Sequence, residues 1–90
     1  MWGDPYAFAD ALGISLHCAP ELPFNVGSSE DGFVVFLWDM DPRVMADRAW
    51  EGVAQVVLSR TGIAWSEGEP ADFAKKLRGL NAPEMLRAFA

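Results

Sequence analysis

The chain has one cysteine, Cys18, and one histidine, His17, among its 90 residues. A lone cysteine excludes an internal disulfide framework, and with a lone histidine it excludes a Cys/His zinc cluster. Long hydrophobic runs are also missing. The longest stretch of large apolar residues, Phe33 to Trp38, falls far short of the roughly 20 residues a membrane-spanning helix needs, so no membrane association is expected. Positive charge is scarce: seven Lys and Arg stand against 13 Asp and Glu, a net charge of −6. That sign repels phosphate backbones, and no direct contact with nucleic acid is expected. No serine sits in a nucleophile-elbow pattern, and the glycines form no phosphate-binding loop. The opening Met1-Trp2-Gly3-Asp4 lacks the basic region of a signal peptide, which leads to an expected cytoplasmic location. What remains is ordinary globular material, 51% hydrophobic and 22% charged, which argues against disorder and for one domain over residues 1–90.

Along the chain, Asp4-Pro5 opens a helix, because Asp4 can cap free amides and Pro5 loses nothing in the first turn. Phe8, Ala11 and Leu12 give it an apolar stripe, and Gly13 supplies a left-handed stop. Ile14-Ser15-Leu16-His17-Cys18 alternates apolar and polar residues and predicts a strand. Pro20 and Pro23 bracket a loop, since neither can donate to a ladder. Phe24 to Val26 is a candidate short strand, followed by a turn cluster from Gly27 to Gly32 and the strand Phe33–Trp38. Asp41-Pro42 repeats the helix-opening pair, and nothing interrupts the helix Pro42–Arg60 before Thr61-Gly62. At about 100° per residue, Met45, Ala46, Ala49, Trp50, Val53, Val56 and Val57 share its core arc, with Glu51 and Gln55 almost opposite. Helices from Pro70 to Gly79, carrying Phe73, Ala74 and Leu77 inward, and from Asn81 onward complete the chain. The expected fold class is α+β, a small, mostly antiparallel sheet packed on a long central helix.

The chemistry-bearing residues have plain structural readings. His17 and Cys18 are strand neighbours pointing to opposite faces, so His17 is expected on the sheet surface and Cys18 in the core. Asp39, Asp41 and Asp47 complement the dipole at the start of the long helix, and Lys75, Lys76 and Arg78 complement the end of the next. Trp38 and Trp50 fit the core, whereas Trp2 and Trp65 fall in a terminus and a loop, where tryptophan marks either a binding surface or packing over a core edge.

Four local words in this order resemble the ImmA/IrrE family of zinc metallopeptidases. They are Ala9-Asp10-Ala11-Leu12-Gly13-Ile14-Ser15-Leu16, the pair Leu22-Pro23, the helical segment from Ala49 to Leu58, and Glu69-Pro70-Ala71-Asp72-Phe73-Ala74-Lys75-Lys76-Leu77. The resemblance runs from about Asp4 to Leu80 and implies a zincin-like fold. Family members carry H-E-x-x-H on the helix. Here one register keeps Glu51 as the glutamate, with Trp50 and Ala54 at the histidine positions. The other, preferred because its residues point away from the apolar arc, places Glu51 and Gln55 at the histidine positions and Gly52 at the glutamate, with Glu69 as the third ligand position. Either way both histidines are replaced, and a zincin site needs two imidazoles at i and i+4 and a carboxylate base. The expectation is therefore a protein that is not an enzyme and holds no cofactor or metal, with Glu51 and Gln55 as solvated helix residues.

The family's members often act in phage or mobile-element control, so the resemblance implies a regulator that binds another protein. An acidic chain suits a partner with a basic surface. Val44, Glu51, Gln55 and Leu58, flanked by Glu69, form one candidate contact surface, and the loop bearing Trp65 forms another. Burial of Val44 and Leu58 under the helices after Gly68 is the alternative. The rival function is an acidic, anti-CRISPR-like inhibitor that occupies the nucleic-acid site of its target.

Overall fold

The computed structural model describes residues 4–29, 31–62 and 68–78. Helix α1 (Pro5–Ala11) starts where Asp4 Oδ1 accepts the Tyr6 amide at 2.9 Å, and Gly13, at φ 71°, turns the chain into strand β1 (Ser15–Ala19). Strand β2 (Val26–Ser28) and strand β3 (Phe33–Leu37) form a hairpin whose turn is closed by Gly32, at φ 88°. Helix α2 (Pro42–Arg60) follows, then helix α3 (Glu69–Leu77). Asp41 Oδ1 caps α2 by accepting the Arg43 amide at 2.9 Å, and Asp39 Oδ1 accepts the Asp41 amide at 2.8 Å. The expected helix over Asn81 onward lies outside the described residues.

The fold is α+β, but the sheet is mixed rather than mostly antiparallel. Its order is β1-β3-β2, with β3 parallel to β1 and antiparallel to β2. The physical reason lies in the segment 20–25. Its two prolines cannot extend a β1–β2 ladder, and the loop steps over one strand position, leaving a slot that β3 fills. The short strand also sits two residues later than expected. It runs through Gly27 and Ser28, which pair with Val35 and Val34, while Phe24 stays outside it.

Alternation along β3 divides the sheet. Val34 and Phe36 are fully buried toward the helices, whereas Phe33 is 49% exposed on the other face. Helix α2 packs against β3, β2, α1 and α3. Of the expected core arc, Ala49, Trp50, Val53, Val56 and Val57 are buried and Met45 and Ala46 half-buried. Gly52, Ala54 and Leu58 are buried as well, because α3 covers a second side of the helix and the sheet closes over Gly52. The core joins these to Phe8, Ala9, Ile14, Ala74 and Leu77, with the Phe8 and Trp50 rings 5.1 Å apart. Two expected core residues are not there. Trp38, one residue past β3, is 53% exposed, and Cys18, paired with Phe36 near the end of edge strand β1, is exposed. Among the described residues, no helix is long and apolar enough to cross a membrane.

Candidate functional site

The positions likened to a metallopeptidase centre lie midway along α2, and the fold gives each a different neighbour. Gly52 is buried where the helix backbone approaches the sheet. A Cβ built there overlaps Val34 Cγ1 and comes within 3.3 Å of Val26 Cγ1. No carboxylate side chain fits at this position unless β3 moves. Gln55 is half-buried rather than free in solvent, and its Oε1 accepts the Ser28 hydroxyl at 2.8 Å, tying α2 to β2. Glu51 is half-buried and lines a groove between α2 and α3 together with Val44, Asp47, Trp50 and Arg78. Glu69 lies on another groove, with Leu58, Asp72, Phe73 and Lys76. Leu58 is only 7% exposed, so its burial under α3 is the outcome for that residue, while Val44 remains half-buried. Val44 and Glu51 are thus brought together, as are Leu58 and Glu69, whereas Gln55 turns to the sheet. Trp65 lies outside the described residues. Among the described residues, no group of three or more His, Cys, Asp or Glu side chains could hold a metal ion.

The cations near α2 are engaged in holding the fold. Arg78 lies 5.5 Å above the Trp50 ring and donates to Asp47 Oδ1 at 2.6 Å. Arg48 donates to the Leu37 carbonyl at 3.0 Å and stands 3.8 Å from Asp39, while Arg60 donates to the Leu12 carbonyl at 3.1 Å. These contacts fasten α2 to β3, α1 and α3. Asp47 therefore pairs with Arg78 in addition to lying in the first turns of α2.

A different surface emerges on the sheet. Register places Ser15, His17 and Ala19 of β1 beside Phe33, Val35 and Leu37 of β3, with Gly27 of β2 opposite Val35 on the other side. The His17 ring stacks on Phe33 with centroids 4.4 Å apart and planes 19° from parallel. Phe24, 45% exposed, lies over Gly27, where a Cβ would stand 2.7 Å from its Cε2. Only glycine at that position lets the ring lie down on the strand. Phe24, Gly27, Ser28, Ser29, Phe33 and Val35 line a shallow groove of about 410 Å³. At the far end of β3 come Trp38 and Met40, the latter 83% exposed. Tyr6, also exposed, lies beside Phe36, and its phenol is pushed above its ordinary value by partial burial, then by Cys18 and Asp4 nearby.

Charge divides along the chain. Residues 1–42 contain Asp4, Asp10, Glu21, Glu30, Asp31, Asp39 and Asp41 and not one Lys or Arg. All seven basic residues and the other six acidic ones lie in 43–90, so the two parts carry −7 and +1, which make up the −6 of the chain. Every exposed large hydrophobic residue among the described ones (Tyr6, Phe24, Phe33, Trp38 and Met40) falls in the part without a cation. The sequence carried this signal in its unbroken apolar run Phe33–Trp38 and in the lack of any Lys or Arg before Arg43. What it hid was which alternate residues of that run face outward. No family model, curated protein or solved structure matches this chain.

Proposed function

We propose that this chain is a non-catalytic, metallopeptidase-like domain that works in the cytoplasm by binding another protein, as a regulator of the phage or mobile-element kind to which its ImmA/IrrE-like words point. In this reading the fold is a zincin-like one built on α2 as its long central helix, with the catalytic apparatus lost. Two features support the loss. Gly52 is pressed against Val34 where the preferred register needs a base, and Gln55 is occupied by Ser28 where it needs an imidazole. A chain that retained the chemistry would keep both positions open to a metal and its water.

The observation that carries the binding role is the exposed apolar face of the sheet, with Phe24 and Phe33 each close to half exposed and no cation in the first 42 residues. Exposed aromatics gathered on one surface mark contact sites. The rival reading, an acidic inhibitor seated in the nucleic-acid site of its target, is favoured by the one-signed charge of the same residues. Both readings need a protein partner, and they differ in what displaces it.

The test captures partners from the native host on the immobilised full chain and on its Phe24→Ser/Phe33→Ser variant. A host protein held by the native chain and lost from the folded variant supports the binding role, and retention of the same protein by the variant contradicts it. Release by duplex DNA identifies the inhibitor reading. One tightly held zinc per purified chain, measured by elemental analysis, would overturn the non-catalytic assignment.

A further inference from the structure

We infer that the occupant of the open sheet face is a cationic amphipathic segment of a partner protein, with an apolar centre and Lys or Arg at both ends. The inference rests on the protein-binding reading above and specifies the chemistry of the partner. The apolar strip of the face follows β3, whose five residues span about 16 Å at roughly 3.3 Å per residue. Phe33, Val35 and Leu37 stand along it, and Phe24 widens it across Gly27. Strands paired in parallel, as β1 and β3 are, ordinarily lie in sheets covered on both faces, yet among the described residues Phe33, on the face away from the helices, stays half exposed.

Acidic residues lie beyond both ends of this strip. Glu21 follows β1, whose last residue pairs with Leu37, and Asp31 precedes Phe33 at the opposite end. Both are exposed. Asp39, past Leu37, adds a third carboxylate, partly compensated by Arg48 at 3.8 Å. An apolar strip about 16 Å long with an exposed carboxylate beyond each end selects a segment with apolar side chains between terminal cations. A second copy of this chain does not meet that requirement. Stacking two such faces would bring together the exposed Glu21 and Asp31 of each copy, with no Lys or Arg in any of the three strands to offset them.

The test titrates the isotope-labelled full chain with three short synthetic peptides and follows its backbone amides by NMR. One has a Leu/Val centre with two lysines at each end, the second has glutamates in place of the lysines, and the third keeps the lysines around a serine centre. The lysine-flanked apolar peptide is expected to shift the amides of Gly27, Phe33 and Val35, and to bind about tenfold more weakly to Phe33→Ser. The Glu21→Lys/Asp31→Lys variant changes only exposed side chains and leaves the core intact. It should weaken the same peptide and improve binding of the glutamate-flanked one. Equal binding of the lysine- and glutamate-flanked peptides, equal binding of the serine-centred one, or shifts confined to α2 and α3 would overturn the inference. So would a concentration-dependent dimer in sedimentation that Phe33→Ser abolishes, because the occupant would then be a second copy. If no peptide binds while the host partner is still lost from Phe24→Ser/Phe33→Ser, the binding role stands and the cationic segment is wrong.

Discussion

The two faces of β3 are built from the same kinds of residue and do opposite work. Val34 and Phe36 are sealed against α2, and the helix came so close that only Gly52 fits opposite Val34. Phe33, one residue away, is half exposed and has the His17 ring as its stacking partner. The helical side is fastened by arginines, with Arg48, Arg60 and Arg78 bound to carbonyls or a carboxylate on neighbouring elements. The three strands hold no Lys or Arg, and the open side of the sheet carries the half-exposed Phe24 and Phe33. A chain of 90 residues has little apolar area to spare, so leaving two phenylalanines half exposed on one face forgoes about half of the roughly 1.5–3 kcal/mol that full burial of each would supply.

Substitutions on the covered side sharpen the contrast, beginning with the largest effect. Val53→Asp places a carboxylate at a position with 0% exposure and no cation among its core neighbours, and the domain should lose its native fold. Circular dichroism and loss of amide dispersion would show it, and a native spectrum would remove Val53 from the core. Gly52→Ala comes next. Its methyl collides with Val34, so overpacking should lower stability by about 1–3 kcal/mol in urea unfolding, despite the better helix propensity of alanine. Adding Val34→Ala removes the atoms in the way, so the double variant should be less unstable than the two single losses combined. Strict additivity would mean that α2 does not lie against β3 at that point.

Much of this was legible in the sequence where the signals are local. Asp41-Pro42 and Thr61-Gly62 bound α2 at Pro42–Arg60 because a cap, a proline and a stop each act within a turn of themselves. Asp4-Pro5 and Gly13 did the same for α1. Strand order was not legible. Whether β3 joins the edge of a hairpin or enters between β1 and β2 depends on nonlocal pairing that no window of residues records. Trp38 and Cys18 were misplaced for a related reason. Their apolar character says nothing about whether a neighbouring element reaches the ends of β3 and β1. The candidate site divided in the same way. Glu51 and Gln55 have the spacing of one helix face, yet α3 stands beside one and β2 beside the other. Gly52 was conspicuous as a glycine inside a strong helix, a signal of close backbone approach. Its likeness to an altered catalytic position drew attention to lost chemistry rather than to packing.

The most direct test of the contrast between the two faces is urea unfolding of two single variants at adjacent positions, Val34→Ser and Phe33→Ser. Val34→Ser puts a hydroxyl and a void into a fully buried position and should cost about 2–4 kcal/mol, while Phe33→Ser, which loses a half-exposed ring and its stacking on His17, should cost only about 1 kcal/mol. Equal losses, or a larger loss for Phe33→Ser, would mean that the outer face is part of the core and not a surface kept free for a partner.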